Sequence, residues 1–144
     1  VITISARVQY ACLAALELAR RAGNGRPTRI DEIAEAQRIP KQFLVHILLQ
    51  LKRDGVLRST RGVGGGYSLA RSPSTITVGD VVRAVEPTLA LPEPKAGSRD
   101  KNAGGDSVLF SLWRDVERQA VGVIEAMTID ELLKRTNEAA EQAT

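Results

Sequence analysis

The chain has 144 residues, 43% of them hydrophobic and only 3% aromatic. That suits one domain with an aliphatic, mostly helical core and excludes a disordered chain. The net charge is +3, the single cysteine Cys12 excludes an intrachain disulfide, and the start lacks the basic residues and cleavage site of an export signal; no apolar run approaches the roughly 18 residues of a membrane span, so a soluble protein of the reducing cytoplasm is expected.

Residues 5–22 place Val8, Cys12, Ala15, Leu16 and Ala19 at helical spacing, and Gly23-Asn24-Gly25 ends that helix. Ile30 to Gln37 predicts a short second helix. Ile30, Ile33 and Ala34 share one face, and Asp31 and Glu32 sit in the first turn, where carboxylates favour the helix dipole. Ile39-Pro40 breaks it. Pro40 suits the first position of a third helix running to about Arg53, with Phe43, Leu44, Ile47, Leu48 and Leu51 as its apolar stripe. Two short helices joined by a turn of about three to four residues have the geometry of a helix-turn-helix.

After Gly55 the period changes. Two short strands are predicted at about 56–60 and 67–70, with the tract Arg61-Gly62-Val63-Gly64-Gly65-Gly66 between them. Thr77 and Asp80 have cap-like spacing and open a helix that buries Val78, Val81, Val82 and Val85. Residues 87–106 read as a loop rich in proline, glycine and charge. Leu109, Trp113, Val116, Ala120, Val123 and Met127 then recur at alternating spacings of four and three, widened by Leu112 and Ile124. That heptad seam predicts a long helix that pairs with its copy in a second subunit. Thr128 to Glu131 has the spacing of a capping box, which predicts a stop and a short last helix.

The glycine tract admits two readings. A phosphate-binding loop needs a lysine and a hydroxyl residue directly after its last glycine, and a helix beyond. Here Gly66 is followed by Tyr67-Ser68-Leu69, which reads as strand, and the dinucleotide spacing fails too. The tract is instead the tip of a hairpin wing. Glycines let such a tip approach a groove or a sugar–phosphate backbone closely, with Arg61 projecting into a minor groove and Ser59 and Thr60 donating to phosphates.

The chain thus reads as mainly α with a small β-hairpin wing. A winged helix-turn-helix spans 1–86, a loop 87–106, and a dimerisation helix with a short C-terminal helix 107–144. Charge agrees with this division. Seven lysines and arginines face one acid between Arg38 and Arg71, whereas seven acids face three bases between Asp115 and Glu141. A polyanion-facing surface and a second surface turned away from it would produce that asymmetry. An enzyme is not expected. His46 is the only histidine, Cys12 the only cysteine, neither has a third group to orient it, and no metal-ligand spacing occurs.

The run from Ile33-Ala34 through Ile39-Pro40-Lys41-Gln42-Phe43-Leu44-Val45-His46-Ile47-Leu48 to Ser59-Thr60-Arg61-Gly62-Val63-Gly64-Gly65-Gly66-Tyr67-Ser68-Leu69-Ala70 resembles the Rrf2 family of bacterial transcription regulators. Ile76 to Glu86 resembles its next helix, and Val8-Gln9-Tyr10-Ala11 is similar in the first. The resemblance implies a homodimer on double-stranded DNA, with Arg61 in the minor groove. It also implies a recognition helix presenting Lys41, Gln42 and His46, with Gln42 and His46 at base edges, Lys41 on guanine or phosphate, and Arg38 and Arg53 on phosphates. The wing residues Ser59, Thr60, Gly62, Gly64, Gly65, Gly66 and Tyr67 complete the implied DNA surface. Leu109, Leu112, Trp113, Val116, Ala120, Val123, Ile124 and Met127 form the implied dimer interface. Many family members hold an iron–sulfur cluster on three cysteines before the dimer helix. Residues 87–106 contain none, and Gln9 stands where some members supply a carboxylate. The resemblance therefore points to a cluster-free branch with no cofactor, modulated by a small molecule or a protein. The alternative is a regulator that docks on a metabolic enzyme, with DNA binding secondary. Val45 stands where an acidic residue is frequent, so the operator does not carry over.

Overall fold

The computed structural model describes residues 4–87 and 104–143, so most of the expected loop at 87–106 lies outside the described residues. Helix α1 (Ala6–Arg20) starts at Ser5, whose side chain caps the Val8 amide at 3.3 Å. It ends two residues earlier than expected, and a single 3-10 turn, Ala22–Asn24, follows it. Its buried face is Val8, Ala11, Ala14, Ala15, Leu18 and Ala19, whereas Cys12 and Leu16 are only partly covered. The small alanines allow close approach, and α1 meets α2 (Ile30–Gln37), α3 (Lys41–Arg53), α4 (Val78–Val85) and α6 (Ile129–Gln142). Glu17 lies at 1% exposure within this core. Burial alone would raise its pKa, but hydrogen bonds from Arg21, Arg20 and Gln37 outweigh that and hold the carboxyl below its usual range.

Helix α2 occupies the expected residues. Asp31 and Glu32 stand in its first turn, and Glu32 accepts from the Arg29 amide at 3.0 Å. It ends on Arg38 in the left-handed region (φ 55°, ψ 44°). Pro40 lies just outside α3 as its N-cap instead of opening it, and its carbonyl accepts from Phe43 and Leu44 at 3.0 and 3.2 Å. Leu44, Ile47, Leu48 and Leu51 are sealed in the core, but Phe43 departs from the expected stripe and is 52% exposed. It sits one step off the buried set, where its ring meets Tyr10 of α1 at 6.3 Å.

Strands β1 (Leu57–Thr60) and β2 (Gly66–Leu69) pair antiparallel from Leu57 with Leu69 to Thr60 with Gly66. Val56 and Ala70 stand just outside, joined by one backbone bond of 2.9 Å. A third member has no strand pattern to announce it. Buried Thr28 adds itself to the free edge of β2, exchanging backbone bonds of 2.8 and 2.7 Å with Tyr67.

Thr77 and Asp80 form the expected reciprocal cap of α4 at 3.0 Å each way. Val81, Val82 and Val85 are buried, while Val78 is only half-buried. Helix α5 (Gly104–Ala126) is described from Gly104, inside the stretch read as loop. Thr128 caps the Glu131 amide at 3.1 Å and starts α6, which has 14 residues and is not the short helix expected. The α5–α6 turn is stapled to α4: the Val78 amide bonds the Met127 carbonyl and the Ile129 amide bonds the Ile76 carbonyl, both at 2.8 Å. Ile76 and Ile129 are fully buried beside these bonds.

Candidate nucleic-acid interface

The turn Arg38-Ile39-Pro40 sets α3 across α2, with Ile39 buried as its pivot. Burying the Leu44–Leu51 stripe turns the opposite face of α3 outward. Lys41, Gln42, Val45, His46, Leu49, Lys52 and Arg53 are all exposed on it, and Arg38 is exposed beside its start. Lys41, Gln42, His46 and Arg53 therefore share one surface. Val45 and Leu49, 46% and 49% exposed, share it too and went unremarked as contacts. An apolar side chain there suits a thymine methyl group.

The charges on this surface are not equivalent. Lys41 pairs with Asp31 at 2.7 Å, both groups exposed. The hydrogen bond from Lys41, then its charge, hold the Asp31 carboxyl below its usual range. Among the described residues, no ion pair or side-chain hydrogen bond engages Arg38, Lys52, Arg53 or Arg61.

In the wing, Thr60, Arg61, Gly62, Val63 and Gly64 are exposed, Val63 completely. Ser59, Gly65, Gly66 and Tyr67 are partly covered, and Tyr67 packs against the core below the tip. Two of the glycines answer to the hairpin itself. A Cβ on Gly65 would stand 2.2 Å from the Thr60 carbonyl oxygen, and one on Gly66 2.4 Å from that of Thr28. Gly62 and Gly64 both have φ +103° with open space around them.

On α5, Leu109, Leu112, Trp113, Val116 and Val123 are exposed by 38–65%, and Val108, outside the expected set, by 70%. Ala120, Ile124 and Met127 are partly covered, and Ile124 packs on the core of its own chain. Cys12 faces the core, and burial pushes its thiol up to about 11. No group of three or more metal-ligating side chains occurs among the described residues, and no helix there is long and apolar enough to cross a membrane.

The model of the Rrf2 family, described as iron-dependent transcriptional regulators, matches residues 4–135. The chain is 34% identical to a putative HTH-type transcriptional regulator of Synechocystis, covering 90% of this chain and 86% of that one. It is 32% identical to the HTH-type transcriptional regulator IscR of Klebsiella pneumoniae, covering 90% and 78%. Among solved structures, IscR of T. potens superposes with a TM-score of 0.77 at 30% identity over 95% of this chain and 90% of that one. CymR, the global cysteine regulator of B. subtilis, superposes with a TM-score of 0.74 at 25% identity over 94% and 98%.

Proposed function

We propose that this chain, which belongs to the Rrf2 family of transcriptional regulators, binds a pseudo-palindromic operator as a homodimer and represses by occupying it. The observation that carries the reading is the pairing of two surfaces whose cations have no partner among the described residues, Arg38, Lys52 and Arg53 on and beside α3 and Arg61 at the wing tip, within the basic segment 38–71. Charges without an internal partner are free to replace the counterions on DNA phosphates. Gln42 and His46 then offer hydrogen bonds to base edges in the major groove, Val45 offers an apolar contact, and Arg61 enters the minor groove. Arg38, Lys41 and Arg53 hold the register on phosphates, assisted by Ser59 and Thr60. The open apolar face of α5 supports the homodimer, since a two-fold protein matches a palindromic site.

Regulation in this reading uses no iron–sulfur cluster. Such a cluster is ordinarily held by about four ligands, mostly thiolates. The family's cysteine loop corresponds here to 87–106, which carries no cysteine, and the one thiol in the chain is turned into the core at Cys12. A small molecule or protein effector takes the cluster's place.

Selection from a random duplex pool, followed by titration of the selected site, tests the reading. Arg61→Ala should weaken operator binding by about 1–3 kcal/mol and leave the unfolding midpoint where it was. The logarithm of affinity should fall with that of salt at a slope of roughly −0.9 per phosphate neutralised. Protein purified from cells should sediment as a dimer and show no iron–sulfur absorption. Wild-type affinity in Arg61→Ala would remove the wing from the site, and a clean monomer would remove the palindrome.

A further inference from the structure

The hairpin closes one side of a cleft that shares only Thr60 and Tyr67 with the expected DNA surface. Its volume is about 490 Å³, in the range of pockets that hold small metabolites. Four arginines line it from four separate segments: Arg21 after α1, Arg26 in the turn before Thr28, Arg58 on β1 and Arg71 after β2. No carboxylate is among the lining residues. The nearby acids are shared between bases. Glu17 serves Arg21 at 2.5 Å and Arg20, Glu32 serves Arg26 at 3.3 Å and Arg21 at 4.0 Å, and Asp80 serves Arg71 at 3.2 Å and Arg83. Among the described residues Arg58 has no carboxylate partner; its guanidinium donates to the Ala70 carbonyl at 3.0 Å. The cleft therefore holds an excess of positive charge in a concave site, where low-dielectric walls strengthen attraction for an anion.

We propose that this cleft binds a small organic polyanion, a metabolite carrying two or more carboxylate or phosphate groups on a short apolar body. Guanidinium groups recognise both kinds of group through paired N–H donors. Ser68, opposite Arg58 in the hairpin register, and Thr60, two residues along the same strand, add hydroxyl donors. Leu18 and Pro73 supply apolar wall for the body of the ligand. The site also reaches the wing, because Thr60 lines the cleft and Arg61 follows it at the start of the tip. Occupation would fix the strand that leads into Arg61, which makes the anion an effector of DNA binding. That last consequence rests on the reading of Arg61 given above; binding of the anion itself does not.

Calorimetric titration with inorganic pyrophosphate and with citrate, without DNA and at matched ionic strength, tests the cleft directly. The expected result is saturable binding of one anion per chain. Arg58→Gln should weaken it by about tenfold or more, the loss of a charge-assisted hydrogen bond. Arg26→Gln, an exposed change on a different segment, should weaken it as well, which guards against a fold defect at the hairpin. Arg135→Gln, an exposed change on α6 outside the cleft lining, should leave it unchanged. Preference for pyrophosphate or for citrate identifies which anionic group the site takes. No saturable binding of either anion, or equal losses in Arg58→Gln and Arg135→Gln, would overturn the proposal. So would an Arg58→Gln protein that loses operator affinity when the wild type binds neither anion, since these arginines would then be backbone contacts of the DNA site.

Discussion

In α3 the stripe Leu44, Ile47, Leu48 and Leu51 is at most 1% exposed, whereas in α5 Leu109, Leu112, Trp113 and Val123 remain 47–65% exposed. Both helices are amphipathic, and the pattern of either one alone announces a face that must be covered. The difference is where the cover comes from. For α3 it is α1, α4 and the base of the hairpin, all in the same chain. For α5 the same-chain contacts gather toward its end, where Glu125 pairs with Arg83 of α4 and Ile124 meets the core. The preceding turns present their apolar side to solvent. Periodicity reports that a face is apolar; only the fold reports whether its own chain has already covered it.

The largest test of that contrast is a matched pair of truncations. Leu48→Ala removes a fully buried side chain and should cost about 2–5 kcal/mol, read as a lower urea midpoint that does not depend on protein concentration. Leu112→Ala removes one that is half exposed, so its cost should appear mainly in assembly. Its midpoint should fall most at low protein concentration, as expected when folding is linked to association. An equal, concentration-independent loss in both variants would mean that the face of α5 is covered within its own chain.

The wing repeats the contrast on a smaller scale. Gly66 is closed in by its own chain, with φ +154° and the Thr28 backbone where a side chain would go, while Gly64 meets open space. Gly66→Ala should therefore destabilise the fold by about 1–3 kcal/mol, the scale of a backbone strain that the surroundings cannot relieve. Gly64→Ala carries the strain of its φ alone and should be milder in unfolding. Its effect should show in operator affinity, where close approach of the tip matters. If the two variants unfold alike, the packing of Thr28 against the hairpin is not what requires glycine there.

Most of the fold could be read from local signals, because its decisive contacts are local. The α2–α3 pair follows from Ile39-Pro40, the α4 cap from Thr77 and Asp80, and the hairpin from the change of period after Gly55. What escaped depends on contacts distant in sequence. Thr28 has no strand pattern around it and becomes one residue of sheet only because β2 offers a free edge. Phe43 is apolar and adjacent to the stripe, yet the rotation of α3 leaves it against Tyr10 at the surface. The length of α6 was hidden by its polar composition, for every residue of that helix after Leu133 is exposed. The arginines of the cleft were counted in the charge balance, but their convergence comes from four segments and leaves no spacing to find.

The smallest effect concerns the polar face of α3, where Lys41 is the recognition-helix base with a same-chain partner, Asp31, among the described residues. In the proposed complex a phosphate must displace that carboxylate before it gains Lys41, so Asp31 is expected to oppose DNA binding. Exposed pairs of this kind contribute little because solvent screens them, which limits both effects of removing it. Asp31→Asn should leave the unfolding midpoint nearly unchanged and tighten operator binding by up to about fivefold at low salt. The gain should shrink as salt rises, because the freed charge makes one more salt-sensitive contact. Lys41 holds the Asp31 pKa below the usual carboxylate range, so the carboxylate is fully ionised above that range and its protonation begins only under acid conditions. The ratio of variant to wild-type affinity should therefore stay constant between about pH 6 and about pH 8, well above ordinary carboxylate values. Affinity that falls in Asp31→Asn would show that the carboxylate holds Lys41 in its binding pose, and α3's charged face would then be organised by its own chain as thoroughly as its apolar one.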